Sequence, residues 1–316
     1  MRDSVRLGSS ELVVSPLALG SWRTFEHLSK DEGLAVMAAA RRLGVTFLDD
    51  ARYDDETGHA PLATGYSEVL FGELFRAAEW PRGETVVTNK LWWEFWPEES
   101  AAAELDGSLE RMGFDYIDVI YANPPPSGLG VPGLVDEVIG LVESGKARSW
   151  AIVNWPATQF AEVIDVAAAR GAAGPCAVQL PYSPLQRAIV EDPAMIEAID
   201  RAGASLIPSA VLAGGLLSGK YRDAGAPGRL RKSLSNAMNP YTLGVIEELR
   251  SLADDLDVAP ASLAVAFAAA HPRTASTLVG ATRPDQLEQS AAGVELARSL
   301  EPDDLARLRA VGRRTD

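Results

Sequence analysis

Short runs of β-branched and aliphatic residues alternate with longer stretches of helical periodicity along most of this chain, and that alternation constrains the fold more than any other feature. The strand-like runs fall at residues 14–19, 45–50, 85–90, 116–122, 149–153, 177–180, 205–210 and 274–279. Helical patterns occupy residues 30–42, 67–78, 97–112, 131–144, 157–170, 193–202 and 284–297. About eight strand–helix pairs without a dominant linker predict a closed (β/α)8 TIM barrel, one domain over residues 1–316. An open doubly wound sheet would announce itself by G-x-G-x-x-G after its first strand. Here Gly214, Gly215 and Gly219 follow a late strand and lack that spacing. Residues 222–239, rich in Gly, Arg, Ser and Asn, read as a flexible excursion.

Charge narrows the partners. The net charge of −15 disfavours nucleic acid and anionic membranes. No run of about 18 apolar residues predicts a membrane span, and the first residues lack the apolar core of a secretory leader. The single Cys176 forms no internal disulfide, which fits a cytoplasmic location. With His27, His59 and His271 as the only histidines, no metal site is expected. No helix face stands out as self-complementary, so the oligomeric state stays open.

In a (β/α)8 barrel, chemistry gathers where strands end. The predicted strand ends carry Asp49-Asp50 with Tyr53 just beyond, then Lys90, Asn123, Asn154, Gln179 and Ser209. An ammonium beside a phenol favours the phenolate and lowers the phenol pKa. A carboxylate fixes the ammonium, and the phenol can then protonate a developing alkoxide.

Seven motifs in order resemble the aldo-keto reductase family, and the resemblance covers nearly the whole chain. Arg6-Leu7-Gly8 through Leu17-Ala18-Leu19-Gly20-Ser21-Trp22 resembles its N-terminal β-hairpin and first strand. Gly44-Val45-Thr46-Phe47-Leu48-Asp49-Asp50-Ala51 resembles G-x-x-F-x-D-T-A, and Ser67-Glu68 with Leu70 and Gly72 resembles a helix start of the family. Thr88-Asn89-Lys90, Tyr116-Ile117-Asp118 and the run 212–221 (LAGGLLSGKY) resemble its lysine strand, fourth strand and cofactor loop. Gly280-Ala281-Thr282 through Gln286-Leu287-Glu288 resembles its C-terminal cofactor segment.

The resemblance implies an NADPH-dependent oxidoreductase that reduces the carbonyl of a hydrophobic or aromatic small molecule. It implies Asp49, Tyr53, Lys90 and Asn123 as the catalytic set. Asn154 and Gln179 would hold the nicotinamide amide, and Gly20, Ser21 and Trp22 would touch cofactor and substrate mouth. Leu212 and Gly214 would fold over the pyrophosphate. Gly280, Thr282, Arg283, Gln286 and Ser290 would meet the adenosine end, with Arg283 at a helix start suited to the 2′-phosphate. Trp22, Trp92, Trp93 and Trp155 would wall an aromatic substrate pocket.

Departures from the family pattern keep alternatives open. The tyrosine is expected five residues after Asp49, at Asp54; Tyr53 comes one residue early, and Tyr66 is the second choice. Asn123 stands where the family has His, with His59, in the long loop between Tyr53 and Tyr66, as a substitute. An Asn donates a hydrogen bond but carries no proton. Reduction of a C=C or C=N bond, or a nucleotide-binding regulatory protein with little turnover, are therefore rival readings. Val153 and Ser290 replace polar family residues, each a loss of order 1 kcal/mol of contact.

Overall fold

The computed structural model describes residues 4–220 and 237–313. A two-stranded antiparallel hairpin, β1 (Val5–Arg6) and β2 (Val13–Val14), precedes eight parallel strands. These are β3 (Leu17–Gly20), β4 (Phe47–Asp49), β5 (Val86–Leu91), β6 (Ile117–Ala122), β7 (Ala147–Val153), β8 (Ala177–Pro181), β9 (Ser205–Ser209) and β10 (Thr277–Val279). Their order is β10-β3-β4-β5-β6-β7-β8-β9, and a parallel bridge between Leu206 and Thr274 draws the last seam together. The fold is a nearly closed (β/α)8 barrel with an N-terminal hairpin.

Helices α1 (Lys30–Arg42), α2 (Tyr66–Ala77), α3 (Ala101–Met112), α4 (Gly130–Glu143), α5 (Ala157–Ala169) and α6 (Pro193–Ala202) each return the chain between adjacent strands. Helices α7 (Pro240–Asp255) and α8 (Pro260–Ala269) lie between β9 and β10, with α9 (Pro284–Ser299) and α10 (Pro302–Ala310) after β10. Capping sets many of the starts. Ser29 accepts from the Glu32 N–H while Glu32 reaches back to the Ser29 N–H, a capping box. Helix α3 begins at Ala101, not at residue 97, because the Ser100 side chain caps it by accepting from Ala103.

The predicted excursion over 222–239 lies, up to residue 236, outside the described residues. Helices α7, α8 and α10 have no counterpart among the predicted elements. Helix α8 is buried from Ala261 to Ala268, so no polar face gave it an amphipathic period. Proline at the first helical position, Pro240, Pro260 and Pro302, is the signal that marks all three.

Two apolar layers hold the structure. Leu19, Leu48, Val87, Ile120, Ile152, Val178 and Leu206 face outward from the strands into the helices. Ala18, Phe47, Val119, Tyr121, Val153 and Ile207 fill the barrel interior. Leu7, Leu12 and Val14 of the hairpin belong to that interior cluster and plug the end opposite the site. Gly72 is required by close packing of α2 on α3, since a Cβ there would lie 2.1 Å from the Met112 carbonyl oxygen.

Candidate active site

Parallel register carries the polar residues to one mouth. Gly20, Asp49 and Thr88 lie side by side on β3, β4 and β5, and Lys90 follows two residues later on the same inward face of β5. Asn123 follows β6, Asn154 follows β7, Gln179 lies on β8 and Gly280 follows β10.

The centre of the mouth is an ion pair. Asp49 and Lys90 are both buried, and Lys90 Nζ donates to Asp49 Oδ2 over 2.6 Å. Thr88 Oγ1 donates to Asp49 Oδ1 over 2.6 Å, and Gln179 Nε2 reaches the same oxygen from across the barrel at 3.4 Å. Lys90 Nζ also donates to the Tyr53 hydroxyl over 3.2 Å. Burial works against the ammonium, yet Asp49 and then Tyr53 outweigh it, and the Lys90 pKa is held above the ordinary lysine value.

Tyr53 is the phenol that Lys90 reaches, not Tyr66, which opens α2. The loop accommodates the missing residue. Ser67 Oγ accepts from the Tyr53 N–H and donates to the Ala51 carbonyl, clamping the chain on both sides of Arg52. The extra loop then closes on itself through a bridge between Asp54 and Thr64. His59 sits exposed in that loop. The expected lowering of the phenol does not result. Lys90 pulls the Tyr53 pKa down, but burial of the hydroxyl outweighs it, and Asp49 and Asp50 add to the rise. Tyr53 is a neutral acid here.

Trp22 and Trp92 flank Tyr53, with ring centroids 6.2 and 6.0 Å from it. They are 47% and 38% exposed, so they form open walls. Trp93 and Trp155 do not. Trp93 is buried, donates Nε1–H to the Asn123 carbonyl and packs edge-on against Trp96. Trp155 is among the most buried side chains and donates to the Ala122 carbonyl. Indole N–H groups find such partners when packed inside, and both tryptophans brace the mouth from beneath. Asn123 is anchored as well, its Nδ2 donating to the Leu91 carbonyl over 3.0 Å.

The nicotinamide and adenosine candidates divide. Asn154 is exposed in the left-handed region, which Asn tolerates, and its N–H donates to the Gln179 carbonyl over 3.0 Å. It lines a depression of about 280 Å3 with Ile189, Asp192 and Met195. Leu212 precedes Gly214 and Gly215, whose φ values of 67° and 96° turn the loop over the rim. Gly20 is buried against Leu278. Gly280 lies exposed at the end of β10. Gln286 turns its Oε1 to the Thr282 N–H at 2.8 Å. Arg283 is exposed but forms a two-pronged pair with Asp285 at 2.9 Å. Ser290 is buried, and its hydroxyl donates back to the Gln286 carbonyl of its own helix over 2.8 Å.

Several residues that organise the site lie outside the set that the resemblance assigns to catalysis, cofactor and substrate. Asp50 is fully buried and close to Ser21, whose hydroxyl donates to Asp50 Oδ1. Its Oδ2 accepts no hydrogen bond among the described residues. Burial, with Glu68 nearby, raises the Asp50 pKa well above the carboxylate range. Glu68 is buried too, taking Asn89 Nδ2 at 2.8 Å and Arg111 Nε at 2.5 Å. Arg52 and Glu104 support the Trp92 loop. A charged residue on the inward face of a helix is the signal for Glu68 and Glu104, whereas Asp50 and Arg52 lie in the loop after β4.

The aldo/keto reductase family model matches residues 16–313. The chain belongs to the aldo/keto reductase family. This aldo/keto reductase is 31% identical over 320 residues to a rice (Oryza sativa subsp. japonica) protein called "Probable voltage-gated potassium channel subunit beta", covering 96% of this chain and 95% of that one. A protein of the same description from Arabidopsis thaliana is 29% identical over 311 residues, covering 94% of this chain and 92% of that one. Membership supports oxidoreductase activity, and the family generally binds NAD(P)H. Among the described residues no helix is long and apolar enough to cross a membrane, and no group of three or more His, Cys, Asp or Glu could hold a metal ion.

Proposed function

We propose that this aldo/keto reductase is an NADPH-dependent reductase of aromatic or hydrophobic aldehydes and ketones, with Tyr53 as proton donor. The carrying observation is the Asp49–Lys90–Tyr53 relay, 2.6 and 3.2 Å per link, opening between two exposed tryptophans. NADPH, when bound, supplies the hydride.

The residues present fit that cofactor at its nicotinamide end. Asn154 and Gln179 offer primary amides that can pair with a carboxamide, and the left-handed glycines after Leu212 let backbone approach a pyrophosphate. At the adenosine end Arg283 would have to leave Asp285 to meet a 2′-phosphate.

Tyr53 accepts from Lys90, so it keeps its own proton for the carbonyl oxygen between Trp22 and Trp92. As that proton leaves, the phenolate faces a fixed ammonium, which stabilises the charge as it develops. Asp49 keeps Lys90 charged and oriented. Asn123 contributes no proton; one N–H of its amide is held by the Leu91 carbonyl, which fixes the side chain and leaves the second N–H to orient a substrate, while protonation of the carbonyl rests on Tyr53.

A second reading, a nucleotide-binding regulatory subunit with slow turnover, draws on the description of the rice and Arabidopsis relatives and on Asn123. Titration with NADPH and NADH, followed by tryptophan quenching, and then NADPH oxidation by a panel of aldehydes and quinones separates the readings. Saturable NADPH binding with turnover supports the reductase. Binding without turnover favours the regulatory reading, and no binding overturns both.

A further inference from the structure

The loop after β5 carries Trp92, the open wall beside Tyr53, and something must hold it there. Trp93 in the same loop has φ of 62°, a left-handed conformation unusual for a bulky residue. Such strain persists only where surrounding contacts over-determine it. The contacts converge from one neighbour in sequence to Tyr53. Glu104 of α3 accepts the Trp92 N–H at 2.7 Å and the Trp93 N–H at 3.1 Å. Arg52 NH2 lies 3.6 Å from the same carboxylate, both side chains being 5% exposed. Arg52 NH2 also donates to Glu94 over 3.0 Å, and its guanidinium lies 4.9 Å from the Phe95 ring centroid. One buried arginine thus grips the loop by a side-chain carboxylate, by an aromatic face and by the acid that caps its backbone.

We propose that Arg52 is a specificity-determining positioning residue: through Glu104, Glu94 and Phe95 it fixes Trp92 against Tyr53 and so selects planar aromatic carbonyl substrates over small aliphatic ones. The inference rests on the reductase reading for the word substrate, but the placement of Trp92 stands apart from it. Arg52 touches no reacting atom. Its planar fork serves Glu94 and Glu104 at once while its face lies on Phe95, which a lysine reproduces only in part.

The test uses the full chain labelled with 5-fluorotryptophan, the Trp92 19F resonance being assigned with Trp92→Phe. In Arg52→Met the resonance shifts and broadens, and Arg52→Lys restores part of the change. In Arg52→Met, kcat/KM for 4-nitrobenzaldehyde falls about tenfold, through KM, while kcat/KM for methylglyoxal stays within about twofold, a tenfold change being about 1.4 kcal/mol. Circular dichroism checks that each variant folds; if Arg52→Met does not, Glu94→Gln and Phe95→Ala together loosen the same grip from the surface side, with the same shifts expected. An unmoved Trp92 resonance, or equal losses for both aldehydes, overturns the proposal. If the wild-type protein reduces neither aldehyde, the reductase reading fails on its own. The resonance, and its response to added 4-nitrobenzaldehyde, then decides whether Arg52 sets the Trp92 wall.

Discussion

The Tyr53 hydroxyl accepts a 3.2 Å hydrogen bond from Lys90, whose ammonium is itself 2.6 Å from Asp49. Two strand ends and one loop meet in that arrangement, and the chemistry of the mouth follows from it. The phenol is neutral, the ammonium is charged, and neither changes state across the physiological range.

A flat pH profile is the first consequence. Burial raises Tyr53, and Asp49 raises Lys90, so both stay protonated well above neutral pH. Between pH 6 and 9, kcat/KM for an aldehyde is expected to vary by less than about threefold. A limb falling from pH 7 upward would mean that the phenol ionises early and that burial does not dominate.

Lys90 should matter for stability as well as rate. Replacing it by Met leaves Asp49 buried with only Thr88 and Gln179, and uncompensated buried charges of this kind cost about 3–5 kcal/mol. Urea unfolding of Lys90→Met at pH 7.5 should show a loss of that order. A loss below about 1 kcal/mol would mean that the pair contributes little to the fold.

The Arg283–Asp285 pair bears on cofactor choice. Asp285 occupies both prongs of the guanidinium that a 2′-phosphate would need. Asp285→Asn should tighten NADPH binding several-fold, an exposed charge contact being worth about 0.2–1 kcal/mol, and leave NADH unchanged. Equal changes for both nucleotides would remove Arg283 from the 2′-phosphate site.

Asp50 predicts a pH dependence of stability. Its folded pKa is raised, so relative to the unfolded chain its contribution is fully present below about pH 3.9 and is lost as pH rises toward the folded value. Asp50→Asn stays neutral throughout. Its stability relative to wild type should therefore increase with pH above the ordinary carboxylate range. A constant difference from pH 4 to 9 would place the ionised form of Asp50 comfortably in the folded protein.

The barrel was legible because alternation of strand and helix is a long, repeated signal that survives errors at single boundaries. Asp49 and Lys90 were legible because they end predicted strands. Tyr53 was harder: only the Ser67 clamp on Ala51 and Tyr53 shows how a loop one residue short brings the phenol to Lys90. Trp93 and Trp155 look like Trp92 in sequence, and their inward turn depends on the Asn123 and Ala122 carbonyls at the end of the neighbouring strand β6. The role of Asp50 was hidden for the same reason, since its partner Ser21 lies on the adjacent strand's exit. Contacts between distant segments are set by packing, which local pattern does not report.

The most direct test of the account is single-turnover oxidation of bound NADPH by 4-nitrobenzaldehyde, compared in wild type and Tyr53→Phe. Removing the general acid should slow the step by about 10²–10⁴-fold while tryptophan quenching shows unchanged NADPH affinity. A Tyr53→Phe protein that oxidises NADPH at the wild-type rate would contradict Tyr53 as the proton donor.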